Sequence, residues 1–216
     1  MNYTLYNIPA RTKGLIFDID GTLYKNDAYC VEQGDCQIRA WADLLHISHE
    51  EGRRRVEEAQ QQYAANHDGH RTSLATIMQG FGISIEQCME WRRTLIDPTG
   101  WLTANPELHT ALAALKERFT IIALTNNSFH TGHKHLATLG ISDCFDTVLG
   151  LEQTKRGKPD PTGFQMAADT LHLAPSEIIS IGDRYDVDIV PALSLGMGGI
   201  LVDGPEIIPI IPQLIV

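Results

Sequence analysis

The sequence feature that most constrains the fold is a repeated alternation of short apolar runs with helical segments after residue 105. The apolar runs predict strands at 120–125, 145–149, 177–181 and 199–202. The intervening segments have helical spacing and predict helices at 106–118, 129–139, 161–171 and 187–195. Alternation of this kind is typical of a parallel sheet that is covered by helices on both faces.

One more apolar run, 14–19, predicts a strand. The region that follows it differs in composition and in residue pattern. Between residues 31 and 97 the chain is rich in Glu, Gln and Arg and shows no strand pattern. One long, mostly exposed helix is predicted there over 49–66, with shorter helices near 72–80 and 84–96.

The sequence therefore predicts an α/β fold with a Rossmann-like parallel sheet and an inserted all-helical cap domain. The core would consist of residues 1–24 and 100–216, and the cap of residues 25–99. The insert starts just after the first strand, beside the edge where open α/β sheets bind ligands. A helical lid over that edge is the expected arrangement.

Polar side chains recur where the predicted strands end, and parallel strands bring such positions to one edge. These residues are Asp18, Asp20, Thr125, Asn126, Lys158, Asp183 and Asp188. Singly, each has an ordinary explanation as a helix cap, a turn residue or a solvated lysine. We prefer that explanation for Asn127 and Ser128, as a cap of the helix from Phe129, and for Asp186, as a helix start. The joint occurrence of the others predicts a functional site.

The chemistry of this set points to a metal ion and a phosphate group. Clustered carboxylates repel one another unless a cation lies among them, and an all-oxygen ligand set favours Mg²⁺. The formal net charge is −10, so an anionic ligand needs a local positive centre such as this ion or Lys158. A carboxylate can attack phosphorus as a nucleophile, and a second one nearby can act as general acid and base.

Four segments, FDIDGT, LTNN, GKP and GDRYDVDI, occur in this order. Together they resemble the haloacid dehalogenase (HAD) superfamily of hydrolases. The resemblance covers the predicted core, roughly 14–24 and 100–202, and the insert is similar in position and texture to the helical C1 cap of that superfamily. The resemblance implies a fold of the type predicted above.

The resemblance also implies roles for individual residues. Asp18 corresponds to the nucleophile, which also binds Mg²⁺, and Asp20 to the acid/base, with its backbone carbonyl on the metal. Asp183 corresponds to a further metal ligand. Gly21 would allow a tight turn under the phosphate.

The remaining motif residues would hold the phosphate. Thr125 corresponds to a phosphate-binding hydroxyl, and Asn126 would supply a backbone N–H. Lys158 corresponds to the lysine that steadies the phosphate and the nucleophile. Asp188 corresponds to a second acid, which acts through water or by holding the lysine.

The resemblance favours a Mg²⁺-dependent phosphatase acting on a small phosphorylated metabolite. Dehalogenases of this superfamily lack an acid at the position of Asp20, which is present here. A phosphomutase with the same aspartyl-phosphate chemistry stays open, as does a non-catalytic binding protein on the same fold. Sugar phosphates, phosphoglycolate and nucleoside monophosphates are all possible substrates, and the oligomeric state is undetermined.

The predicted cap offers candidates for substrate selection but no firm assignment. Tyr24, Lys25 and Asn26 lie near the predicted entrance, and a polar loop spans 66–71. That loop is either a solvated connection or a contact with the leaving group. His67 and His70 in the loop are a weak metal-binding signal, and Arg71 or Lys25 could clamp a second phosphate.

The composition restricts the partners and the cellular location that we expect for this protein. The acidic balance argues against nucleic-acid binding. The four cysteines form no CxxC pair, so a structural zinc site is not expected from the sequence. Reduced thiols in a cytoplasmic protein are expected instead. No signal peptide is evident at the N-terminus. The apolar tail at 207–216 is too short for a membrane span and contains two prolines, so we expect it to pack at the domain edge.

Overall fold

The computed structural model describes residues 2–69 and 72–215. His70 and Arg71 of the predicted polar loop lie outside the described residues. The chain divides into two compact units, one formed by Met1–Asp27 with Pro98–Val216 and the other by Ala28–Asp97. No helix among the described residues is both long and apolar enough to span a membrane.

The larger unit contains a sheet of six strands in the described part of the chain. The strands are β1 Tyr3–Tyr6, β2 Gly14–Phe17, β3 Thr120–Leu124, β4 Thr147–Leu149, β5 Ile178–Gly182 and β6 Gly198–Val202. Their spatial order is β1-β6-β5-β2-β3-β4, and all neighbours are parallel except β1 and β6. The predicted α/β fold with a largely parallel sheet is confirmed.

The antiparallel edge strand β1 is an element that the sequence analysis does not predict. Its register pairs Tyr3 with Val202 and Tyr6 with Gly199. Tyr3, Thr4 and Leu5 are exposed, so β1 lacks the buried apolar run by which the other strands are recognised. Its partner also lies at the other end of the chain, which a local pattern does not reveal.

Helices flank these strands, and those predicted over 106–118, 129–139 and 161–171 lie close to the expected positions. The flanking helices are α5 Pro106–Lys116, α6 Phe129–Leu139, α7 Leu151–Thr154, α8 Thr162–Leu171, α9 Val190–Ser194 and α10 Ile211–Leu214. The helix α6 has the predicted bounds, because Ser128 caps its first turn and Gly140 ends it in the left-handed conformation at φ 72°. The core between sheet and helices is formed by buried residues such as Ile16, Ile122, Leu124 and Phe164.

The segment after β5 differs from the single helix predicted over 187–195. A π-helical turn, Tyr185–Ile189, comes first, and α9 follows. Two contacts widen the turn: Ser180 Oγ donates to the carbonyl oxygen of Asp188 at 2.8 Å, and the Asp188 side chain accepts from Arg184 N–H at 3.1 Å. Pro191, which has no N–H to donate, then lies in the first turn of α9.

The part of the smaller unit that the structure describes forms four helices, α1 Asp27–Leu44, α2 His49–Ala65, α3 Leu74–Gly80 and α4 Ile85–Leu95. The last three lie where the sequence predicts helices, and each begins after a serine cap, at Ser48, Ser73 and Ser84. Trp41, Met78 and Trp91 are buried in the core of this unit.

The apolar tail packs on the larger unit, as expected. It forms a 3-10 helix, Pro205–Ile210, followed by α10, and the 3-10 helix contacts α5. Ile207, Ile208 and Ile211 are fully buried.

Candidate active site

The candidate site starts at the end of β2, where the chain turns sharply. Asp18 N–H donates to the Ile181 carbonyl of β5 at 2.9 Å, which continues the sheet by one residue. Gly21 then adopts φ 90°, and a Cβ atom on it would lie 2.4 Å from Asp183 Oδ2. Glycine is therefore required here both by the backbone conformation and by the close approach of a carboxylate.

Lys158 joins two of the predicted acids. Its ammonium donates to Asp18 Oδ1 at 2.5 Å and to Asp188 Oδ1 at 2.6 Å. All three side chains are almost completely buried. Charged side chains are rarely buried unless they are paired, and here one cation serves two anions.

Asn126 holds the backbone of the loop that carries Lys158. Its Oδ1 accepts from Lys158 N–H at 2.6 Å, and its Nδ2 donates to the Lys158 carbonyl at 2.9 Å. The peptide bond from Lys158 to Pro159 is cis. The predicted contact of the Asn126 backbone N–H with a phosphate stays a prediction, and the side chain has a positioning task that the sequence did not reveal.

The acidic side chains of the cluster carry more charge than the Lys158 ammonium neutralises, and their pKa values show this. Burial raises the pKa of Asp18 to about 7; the charges of Asp188 and Asp20 add to this effect and Lys158 opposes it. Burial alone would lower the pKa of Lys158, but the carboxylates of Asp18 and Asp188 outweigh it and raise that pKa. Burial and the Asp188 charge also raise the pKa of Asp183. One ammonium is thus surrounded by more negative charge than it neutralises.

The donor atoms of the cluster fit Mg²⁺. Carboxylate oxygens of Asp18, Asp183 and Asp188 lie within 4.8 Å of one another. Asp183 Oδ1 is buried and has no hydrogen-bond partner among the described residues; the nearest cationic nitrogen, Arg184 Nε, is 3.9 Å away. Both Asp188 oxygens already accept, from Lys158 and from Arg184 N–H. Asp18 and Asp183 therefore have the more available oxygens for a hard cation.

Asp20 is held at both carboxylate oxygens. The Tyr24 hydroxyl donates to Oδ1, and Asn127 Nδ2 donates to Oδ2 at 3.1 Å. The ring of Tyr24 in turn lies against the buried ring of His135, with centroids 5.5 Å apart. These contacts fix the direction of the carboxylate relative to the turn at Gly21.

The contact of Asn127 corrects an expectation. The sequence favours both Asn127 and Ser128 as caps of α6, but Ser128 alone has this role, since its Oγ accepts from Thr131 N–H at 3.0 Å. Asn127 faces Asp20 instead. Its position directly after the strand-end pair Thr125–Asn126 is the signal that could have identified it.

Thr125 lies at the end of β3, next to β2 in the sheet. Its side chain is buried, and its Oγ1 accepts from Asn127 N–H at 3.0 Å. A hydroxyl that accepts one bond can still donate its own proton. Thr22 Oγ1 lies 3.4 Å from Asp18 Oδ2, a long contact that leaves this oxygen weakly engaged.

The structure also describes the surroundings of two other residues considered from the sequence, Asp186 and His67. Asp186, read as a helix start, is exposed within the π-helical turn. In the smaller unit, the ring of His67 stacks on that of Tyr63 with centroids 3.8 Å apart, and its Nδ1 lies 2.8 Å from the Tyr63 carbonyl oxygen. His67, in the turn that follows α2, therefore packs against the last turn of that helix.

Comparison with known proteins identifies relatives over most of the chain. The family model for haloacid dehalogenase-like hydrolases matches residues 12–196. A glyceraldehyde 3-phosphate phosphatase of Methanopyrus kandleri is 29% identical over 192 residues, which are 86% of this chain and 81% of the relative. The 5-amino-6-(5-phospho-D-ribitylamino)uracil phosphatase YigB of Escherichia coli is 24% identical over 204 residues, 89% of this chain and 84% of the relative.

A solved structure supports the fold. The putative beta-phosphoglucomutase of Thermotoga maritima superposes with a TM-score of 0.58 and 19% identity, covering 95% of this chain and 100% of that one. At this identity the likeness concerns the fold alone. The matched family region, 12–196, includes every site residue predicted from the sequence.

Proposed function

Because the chain belongs to the haloacid dehalogenase-like hydrolase family, we propose that it is a Mg²⁺-dependent phosphatase of small phosphate monoesters. The observation that carries this proposal is the buried cluster in which Lys158 bridges Asp18 and Asp188 beside the unpartnered Asp183 Oδ1. Such a cluster has a fixed cation for a phosphate and spare carboxylate oxygens for a metal ion. Phosphoryl transfer needs mainly this kind of positioning and charge stabilisation.

Asp18 is the proposed nucleophile. One of its carboxylate oxygens attacks the phosphorus, the bond to the leaving oxygen breaks, and an aspartyl phosphate forms. Lys158 binds Oδ1, which leaves the weakly engaged Oδ2 as the available oxygen. The carboxylates of Asp18 and Asp183 and the backbone carbonyl of Asp20 would hold Mg²⁺, whose charge would offset that of the phosphate.

Asp20 is the proposed general acid and base. It donates a proton to the leaving oxygen in the first step and removes one from the attacking water in the second. Tyr24 and Asn127 hold its two oxygens and thereby set the direction of proton transfer. A carboxylate that accepts one hydrogen bond at each oxygen retains lone pairs for the transferred proton.

Thr125, Asn126 and Lys158 are the proposed phosphate ligands. The Thr125 hydroxyl and the Asn126 N–H would bind phosphate oxygens, and the Lys158 ammonium would neutralise part of their charge. Asp188 acts through Lys158: it fixes the ammonium on one side while Asp18 fixes it on the other.

The relatives suggest which substrates to test first. The two curated phosphatases reported above are named for a triose phosphate and for a phosphorylated ribityl compound, both small phosphorylated metabolites. We include phosphomutase activity as the alternative, because it would use the same aspartyl-phosphate chemistry on the same fold. A cytoplasmic location is part of the proposal and is supported by the four free thiols.

The test is release of inorganic phosphate from a panel of sugar phosphates, triose phosphates, phosphoglycolate and nucleoside monophosphates. We expect release with Mg²⁺, none with EDTA, and none from Asp18→Asn. Asp186→Asn, the same change at an exposed acid of the π-helical turn, should retain activity. An isomeric product without phosphate release would favour the mutase, and no turnover of any ester by folded, Mg²⁺-loaded protein would contradict the proposal.

A further inference from the structure

A second group of metal-ligating side chains lies in the larger unit, outside the site described above. His109 is on α5, and Asp143 and Cys144 are in the 3-10 turn Ser142–Cys144 that leads to β4. A ring nitrogen, a carboxylate oxygen and the thiol sulfur lie within 4.8 Å of one another. We propose that these three side chains bind a transition-metal dication, for which Zn²⁺ has the best-matched chemistry.

The ligand types separate this site from the carboxylate cluster. Zn²⁺ takes nitrogen, sulfur and oxygen ligands together, whereas Mg²⁺ takes oxygen ligands. Tetrahedral bonds to Zn²⁺ place neighbouring ligand atoms about 3.3–3.8 Å apart. His109 Nε2 and Asp143 Oδ2 are 3.1 Å apart, which is close to that range.

The surroundings leave room for an ion and its water. A cavity of about 260 Å³ is lined by Ala113, Lys116, Glu117, Asp143 and Cys144. The Asp143 side chain is 76% exposed while Cys144 is buried, so an ion can approach from solvent and reach a sheltered sulfur. A water molecule from the cavity would complete four-coordination.

The summed charge of the three ligands also matches that of a dication. A neutral His109, the Asp143 carboxylate and a Cys144 thiolate together contribute two negative charges. Burial raises the pKa of the Cys144 thiol, so the free site holds S–H. As the metal–sulfur bond forms, that proton passes to solvent, which balances the step.

The turn that carries two of the ligands is fixed to α5. Lys116 Nζ donates to the Asp143 carbonyl at 2.8 Å and lies 3.4 Å from Asp146 Oδ1. A bound ion would add a further connection between α5 and this turn, beside those that exist without it. Because the ion would bind the folded chain in preference to the unfolded one, it would raise stability without entering the proposed reaction.

Cobalt(II) absorption tests the site directly, since Co²⁺ replaces Zn²⁺ and shows an intense charge-transfer band only with a thiolate ligand. The reduced protein is titrated with Co²⁺ in excess Mg²⁺, which occupies the all-oxygen site. We expect a stoichiometric band in the unaltered protein, its loss in Cys144→Ser, and at least tenfold weaker binding in His109→Gln, which keeps the buried sulfur. Cys30→Ser, which removes the exposed thiol, should bind like the unaltered protein.

A thermal measurement provides a second readout that needs no enzymatic activity. Zn²⁺ should raise the unfolding midpoint of the unaltered protein and of Cys30→Ser by several degrees, but not that of His109→Gln. No thiolate band at stoichiometric Co²⁺, or a band that persists in Cys144→Ser, would overturn the proposal.

Discussion

Two charge clusters in this chain pair carboxylates with basic side chains, but they differ in burial and in the balance of charge. In the smaller unit, Asp35 accepts from Arg53 at 2.5 and 2.7 Å and also from Arg39, which in turn pairs with Glu32. In the larger unit, a single Lys158 pairs with Asp18 and Asp188. The first cluster is partly exposed and has two cations for two acids, while the second is buried and has more acids than cations.

The pKa values express this difference. The hydrogen bond from Arg53 is the main reason that the pKa of Asp35 lies below its usual value. Burial raises the pKa of Asp18 to about 7 although Lys158 is in contact. An ion-pair network that only stabilises a surface does not require a buried excess of negative charge. Buried excess charge of one sign therefore marks a place prepared for a ligand of the opposite sign.

The largest expected effect is on catalysis in Asp18→Asn. Without the attacking oxygen, the rate of phosphate release should fall by about 10⁴-fold or more. The fold should persist, because Lys158 keeps Asp188 as its partner. Steady-state kinetics and circular dichroism measure the two properties, and an unimpaired rate would show that Asp18 is not the nucleophile.

Lys158→Met should damage both activity and stability. It leaves two carboxylates buried without their cation, which costs about 3–5 kcal/mol in the free energy of unfolding. Urea unfolding of the metal-free protein measures this cost. A Lys158→Met protein as stable as the unaltered one would mean that the cluster is better solvated than the structure indicates.

The variants Asn127→Ala and Ser128→Ala distinguish the roles of two adjacent residues. Loss of the Asn127 contact should lower kcat about 10- to 100-fold with little change in KM, because Asp20 Oδ2 loses the hydrogen bond from Asn127 Nδ2. Ser128→Ala should leave kcat nearly unchanged but cost about 1 kcal/mol of stability, because it removes the cap of α6. Equal kcat values for both variants would refute the positioning role of Asn127.

The smallest effect is expected at the exposed network. Arg53→Met breaks the bidentate contact with Asp35, but Arg39 still pairs with that carboxylate and solvent screens the charges. The unfolding midpoint should barely change, and phosphate release should not change at all. A loss as large as that in Lys158→Met would remove the distinction between the two clusters.

Much of the fold was predictable because the relevant signals are local. Buried strands such as β3 and β5 appear as apolar runs, and α6 is bounded by a serine cap and a glycine stop. The edge strand β1 was missed because it is exposed and pairs with a distant segment. The π-helical turn depends on contacts between Asp188 and residues that precede it, which helical periodicity does not encode.

The position of the site was predictable for a topological reason. Parallel strands bring their carboxyl ends to one edge, so the sequence predicts that Asp18, Asp183, Asp188 and Lys158 lie close together. Asn127 was assigned to a helix cap because an amide before a helix commonly has that role. Only three-dimensional contacts distinguish an amide that caps a helix from one that holds Asp20.

The central claim is that the buried acidic cluster is a metal site, and calorimetric titration with Mg²⁺ tests it most directly. We expect one Mg²⁺ site in the unaltered protein, its loss in Asp183→Asn and its retention in Asp35→Asn. Absence of Mg²⁺ binding to the folded protein, or equal binding by Asp183→Asn, would contradict it.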